Sequence, residues 1–134
     1  MERPIKFRAW DKLNKWMINP SGEVELNLTL YNADASAGYH FEYEDGKKVS
    51  HDTILMQFTG LLDNNGKEIY EGDIVRTGEE YGEVQYDPQQ SSFIILFQPH
   101  NKKQKSGCAN LASTWPSPLK EVIGNIHENP ELLK

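Results

Sequence analysis

The sequence has one cysteine, Cys108, so the chain cannot form an intrachain disulfide. That usage is typical of proteins kept in a reducing compartment. No apolar run reaches the length that a membrane-spanning helix needs, and the N-terminal MERPIKFRAW lacks the apolar segment of a signal peptide. We therefore expect a cytoplasmic protein with no membrane partner.

Positive charge is also scarce. The net charge is -6 over 134 residues, and the pI is about 5.2. That balance counts against broad, sequence-independent binding to nucleic acid or to an anionic membrane. Hydrophobic residues make up only 37% of the chain, so we expect one domain with a thin core in which aromatic side chains supply much of the buried area.

Recognisable catalytic and metal-binding motifs are absent from the sequence. The four histidines (40, 51, 100 and 127) are scattered, and neither a nucleophile elbow nor a phosphate-binding glycine pattern occurs. We expect no catalytic, metal-binding or cofactor-binding residues, and no enzymatic activity. One enzymatic hypothesis is kept, below the two functions described at the end of this subsection. It is a hydrolase in which His51, Asp52 and Asp73 come together only on folding.

What the sequence does contain is strand patterning. VELNLTL (24–30) alternates apolar and polar residues, as a strand with one dry face does. IYEGDIVRT, GEVQYD, SSFIILFQ and LKEVIGNIH are further strand candidates, with FIILF expected to be central because both its faces are apolar. Residues 99–118 show no clear period and predict a long loop. The fold class is therefore predicted as mainly β.

One loop, DNNGKE (Asp63 to Glu68), resembles a metal site at first sight. It fails the spacing of a calcium-binding EF-hand loop, because Glu68 occupies the position that needs glycine and Ile74 the position that needs a bidentate glutamate. Asn65-Gly66 instead supplies the residues of a tight turn. We interpret the loop as scaffold.

Basic and aromatic residues alternate near the N-terminus, as they do in small β proteins that bind single strands. If that segment is a strand, three of its side chains share one outer face, and a second basic cluster lies in the long loop. The predicted surface for nucleic acid or another partner is Lys6, Arg8, Trp10, Lys102, Lys103 and Lys105.

Three blocks of the sequence carry a resemblance to a known family: KFRAWDKLNKWM, MQFTGLLDNNGKEIYEGDIV and EVIGNIHENPELL. Together they resemble the YopX family of phage- and prophage-encoded proteins. The resemblance implies an SH3-like small β barrel over 51–134, an N-terminal β-rich subregion over 1–50, and no assigned biochemical activity. The residues it implies to pack in the core are Phe58, Leu61, Ile69, Ile74, Val75, Val122 and Ile126.

The leading functional hypothesis is a non-enzymatic phage accessory protein that acts as a protein-interaction module in the bacterial host cell. It would form a homo-oligomer, with VELNLTL as a candidate intersubunit edge, and would bind an unidentified host or phage protein. The alternative is a single-stranded nucleic-acid-binding protein that acts in phage replication through the surface defined above.

Overall fold

The computed structural model describes residues 5–18, 24–30, 37–43, 53–99, 107–114 and 117–133. Within those ranges the chain forms eleven β-strands and one short 3-10 helix, with no α-helix. All strand pairs are antiparallel, and one sheet is curled into a half-barrel. The predicted mainly β class is confirmed. The narrower SH3-like assignment stays a prediction.

The chain divides into two compact units, Lys6–Gln57 and Phe58–Lys134, the latter together with Met1–Ile5. The first contains β1 (Phe7–Asp11), β2 (Trp16–Ile18), β3 (Val24–Leu30), β4 (Ala37–Tyr43) and the beginning of β5 (Thr53–Leu62). There β1 pairs with β2 and with β5, whereas β3 pairs with β4 from Val24↔Tyr43 to Leu30↔Ala37. VELNLTL is thus confirmed as a strand. The division of the chain into 1–50 and 51–134 stays a prediction.

The second unit begins inside β5 and continues through β6 (Glu68–Tyr70), β7 (Asp73–Thr77), β8 (Glu80–Asp87), β9 (Ser92–Phe97), β10 (Cys108–Asn110), β11 (Glu121–Asn125) and the 3-10 helix Pro130–Leu133. Five of these strands form a sheet in the order β10-β9-β8-β7-β11. The strand containing FIILF lies between two neighbours, as predicted from its apolar faces. The core consists of Ile69, Val75, Val84, Ile95, Phe97 and Leu111.

Two sequence predictions were wrong in their extent. Residues 99–118 were predicted as a loop, but they contain β10 (Cys108–Asn110), which pairs with β9. IYEGDIVRT, predicted as a single strand, is divided by a turn at Glu71-Gly72 into β6 and β7. Gly72 has a φ of 83°, a left-handed conformation that glycine adopts without steric cost. The buried carboxylate of Asp73 closes the turn by accepting a hydrogen bond from the Tyr70 amide at 2.8 Å. Periodicity missed this break because Ile69 and Tyr70 before it and Ile74 and Val75 after it are all apolar and buried.

Candidate interaction surface

The DNNGKE loop, which joins β5 to β6, is held by the buried carboxylate of Asp63. Its Oδ1 accepts hydrogen bonds from the amides of Asn65 at 2.9 Å and Lys67 at 2.8 Å. Its Oδ2 accepts one from the amide of Val122 at 3.0 Å, 59 residues away in β11. One side chain therefore closes the turn and fixes it to a distant strand. The prediction that DNNGKE forms a turn is confirmed.

The charge of Asp63 is stabilised in this position. Burial acts to raise the pKa of its carboxyl, but the hydrogen bonds from Val122, Lys67 and Asn65, with the nearby positive charge of Lys67, lower it below its ordinary value of 3.8. A second bond supports the junction, since the Asn64 amide donates to the Lys120 carbonyl oxygen at 2.8 Å. The β5–β6 loop and the start of β11 thus form one connected structure.

A β-bulge in the second half of β5 changes which side chains face solvent. The register with β6 shifts between Phe58 and Leu62. Within the bulge, the hydroxyl of Thr59 donates to the Ile69 carbonyl at 2.8 Å, and the Leu61 amide donates to the same hydroxyl oxygen at 3.2 Å. In a regular strand two consecutive residues face opposite sides. Here both leucines are accessible, Leu61 at 38% and Leu62 at 58%.

Leu119 adds a third apolar side chain near the same junction, and it is 63% exposed. It directly precedes Lys120, whose carbonyl binds the Asn64 amide, while Leu62 directly precedes Asp63. We call Leu61, Leu62 and Leu119 the leucine surface. The backbone bond between Asn64 and Lys120 joins the two chain segments that carry these leucines. Contiguous exposed apolar side chains are typical of interaction sites.

Buried Lys120 holds the chain segment that leads into the leucine surface. Its ammonium donates to the carbonyl oxygens of Ser113 and Ser117, the latter at 3.4 Å. The hydroxyl of buried Thr77 also donates to the Ser117 carbonyl, at 2.9 Å. Burial lowers the pKa of Lys120 from 10.5, because removal from water disfavours the charged form. Leu119 is therefore presented by a backbone that is fixed on both sides.

Comparison with known proteins supports the resemblance that the three sequence blocks carry. The family model described as "YopX protein" matches residues 6–134. The chain belongs to the YopX family. No curated protein matches it. The chain is similar over 99% of its length, at 25% identity and a TM-score of 0.49, to all of the chain in the crystal structure of protein EF1440 from Enterococcus faecalis.

The predicted basic and aromatic surface is not formed as expected in this YopX family member. Lys6 is exposed, but Arg8 and Trp10 are each only 7% exposed. The Arg8 guanidinium lies inside the unit Lys6–Gln57, where Nη2 is 3.8 Å from the sulfur of Met56. All four residues from Arg8 to Asp11 are buried, so both faces of β1 are covered. The prediction that one face of this strand is exposed to solvent was therefore wrong. Lys102, Lys103 and Lys105 lie outside the described residues.

The hydrolase hypothesis gains no geometry from the described part of the chain. His51 and Asp52 lie outside it, and buried Asp73 is engaged with the Tyr70 amide. Among the described residues, no group of three or more His, Cys, Asp or Glu side chains is placed to hold a metal ion. The helical structure in the same ranges includes nothing long and apolar enough to cross a membrane.

Sequence reasoning missed the leucine surface and assigned one of its members to the core. Leu61 was expected to pack, whereas the bulge leaves it accessible. The sequence signal was the Leu61-Leu62 pair immediately before a polar turn, since a regular strand can bury only one of two consecutive residues on a single face. Leu119, between Pro118 and Lys120, has no comparable signal.

Proposed function

We propose that this YopX family member is a non-enzymatic protein-interaction module, and that its leucine surface binds a second copy of the chain. The observation that carries the proposal is the exposure of both Leu61 and Leu62 at a bulge. Bulges redirect side chains in ways that a regular strand cannot. Here two consecutive apolar side chains are exposed, and covering them with another surface would be favourable.

A second copy is the occupant that we propose, and the contact would be made by apolar side chains. The net charge of -6 on each molecule opposes association, so burial of the leucines must outweigh that repulsion. Uncharged Asn64, Asn65 and Pro118 and the positive Lys67 are exposed beside the leucine surface. The acidic neighbours are half-buried Glu68, which pairs with Leu62 across the strands, and Glu121, whose charge is paired with Arg76. A two-fold axis through this surface would let the same leucines serve both molecules.

The biological setting forms a further part of the proposal. The YopX family resemblance supports a phage- or prophage-encoded accessory protein that acts in the cytoplasm of its bacterial host. The single cysteine fits that reducing compartment. In this setting the dimer would present its remaining surface to an unidentified host or phage protein.

The test is sedimentation velocity of the full chain from low to high micromolar concentration. Leu62 and Leu119 are changed together to glutamate, and Leu13→Glu serves as the matched control because Leu13 is also an exposed leucine but lies in the other unit. We expect wild type and Leu13→Glu to dimerise with rising concentration and the double variant to stay monomeric. Circular dichroism checks that all three are folded.

Two results would overturn the proposal. A wild-type chain that stays monomeric at high micromolar concentration excludes the second copy as the occupant. If the double variant and Leu13→Glu dimerise as the wild type does, the copies associate through another surface, of which strand β3 (VELNLTL) is the sequence-based candidate.

A further inference from the structure

The turn that Asp63 closes contains the one Asn-Gly step of the sequence, Asn65-Gly66. Both residues are exposed, and a Cβ placed on Gly66 would meet nothing within 4 Å. Asparagine followed by glycine is chemically labile because no side chain hinders attack by the glycine nitrogen. We propose that Asn65 is a site of spontaneous deamidation, and that the turn held by Asp63 sets its rate.

The reaction needs only water. The backbone nitrogen of Gly66, after losing its proton, bonds to the side-chain carbon Cγ of Asn65. The C–N bond of the side-chain amide breaks, and ammonia leaves to give a cyclic imide. Water then adds to one of the two imide carbonyls and opens the ring, which yields aspartate or isoaspartate at position 65. Neither an oxidant nor a reductant takes part.

The folded turn opposes the first step. The Gly66 amide donates a hydrogen bond to the Asp63 carbonyl oxygen at 3.0 Å, so its nitrogen is engaged and its proton is withheld from water. The amides on either side, those of Asn65 and Lys67, both donate to the Asp63 carboxylate. The Gly66 nitrogen becomes free to attack the Asn65 side chain when its bond to the Asp63 carbonyl opens, and the two bonds to the Asp63 carboxylate oppose that opening. Asp63 is therefore expected to slow the deamidation of Asn65.

The product would alter the junction. An aspartate at position 65 places a new negative charge two residues from the buried Asp63 carboxylate, and like charges at this range repel. An isoaspartate also adds one backbone atom to a turn whose geometry directs two amides at Asp63. Both changes weaken the attachment of the loop to the Val122 amide. Deamidation at Asn65 would affect the turn itself and does not depend on dimerisation.

The test is peptide mapping by mass spectrometry of the intact chain after incubation at neutral and mildly alkaline pH. A gain of one mass unit locates the reaction, and the elution time separates aspartate from isoaspartate. The rate is measured for the folded chain, for the same chain unfolded in guanidinium, and for Asp63→Ala. Asp87→Ala is the control, because Asp87 accepts a similar local amide bond, from Gln89 at 2.9 Å, in a different turn.

We expect Asn65 to react at least about tenfold more slowly in the folded chain than in the unfolded one, since a turn bond must first open. Asp63→Ala should approach the unfolded rate, and Asp87→Ala should match the wild type. The protection factor of the wild-type Gly66 amide in hydrogen exchange should equal the ratio of the unfolded to the folded deamidation rate. This measurement tests whether the turn sets the rate even if Asp63→Ala does not fold. Equal rates in the folded and unfolded chains, or no reaction at Asn65 in either, would overturn the proposal.

Discussion

Replacing Asp63 by asparagine changes one carboxylate oxygen into an NH2 group and keeps the shape of the side chain. The substitution therefore isolates the role of the carboxylate. Asparagine keeps one acceptor oxygen and gains a donor. If its oxygen stays with the amides of Asn65 and Lys67, its NH2 group faces the Val122 N–H, and two donors meet. Leaving the half-buried Val122 N–H without an acceptor costs about 1–3 kcal/mol of stability. We expect Asp63→Asn to lower the free energy of unfolding by about 2 kcal/mol.

The stability difference between the wild type and Asp63→Asn should also depend on pH. The pKa of Asp63 is lowered in the folded chain, so the carboxylate contributes stability that is fully present above its unfolded value of 3.8. The contribution is lost as pH falls through the lower, folded pKa. The wild type should therefore exceed Asp63→Asn in stability at neutral pH, and the difference should narrow as the pH falls below 3.8.

The assay is urea unfolding at a series of pH values, with Asp87→Asn as the matched control. Asp87 carries the same side chain and accepts one exposed local amide bond, so its replacement should cost no more than about 0.5 kcal/mol. An Asp63→Asn variant that is destabilised no more than Asp87→Asn would contradict this role of the carboxylate. A stability difference from the wild type that is independent of pH in the acid range would contradict it as well.

Three further substitutions have defined outcomes. Gly82→Ala should lower the free energy of unfolding by about 1–3 kcal/mol, because its Cβ would lie 2.0 Å from the backbone oxygen of Leu96. Gly107→Ala, whose Cβ would meet nothing within 4 Å, should leave that free energy nearly unchanged in urea unfolding. Trp10→Ala should cost about 3–5 kcal/mol as a core substitution and the exposed Trp16→Ala far less; equal costs would contradict the burial of Trp10. Because the pKa of Lys120 is lowered from 10.5, wild type should gain stability relative to Lys120→Met as pH rises toward 10.5, and parallel pH profiles would refute this.

Strand positions could be predicted where one physical signal dominates. The apolar run FIILF identified a central strand because residues apolar on both faces need cover on both sides. GEVQYD and LKEVIGNIH likewise identified strands, which the structure contains as β8 and β11. In these places local chemistry and tertiary structure agree.

The interaction surface could not be predicted, because it depends on pairing between distant residues. The exposure of Leu61 follows from a bulge whose position is set by the pairing of β5 with β6, and no local pattern specifies that register. In the same way, Asp63 was identified as a turn residue from its neighbours, but its bond to Val122 joins residues 59 positions apart. The burial of Arg8 and Trp10 likewise depends on what covers β1, which alternation along one strand does not show.

Concentration-dependent NMR of backbone amides would test most directly whether the leucine surface is an interface between copies of this chain. Spectra of the uniformly labelled protein are compared from high to low micromolar concentration. We expect shifts that change with concentration at the amides of Leu61, Leu62 and Leu119, and none at Leu13 in the other unit. Spectra that do not change with concentration, or changes that map to Leu13 and not to the leucine surface, would contradict the proposed function.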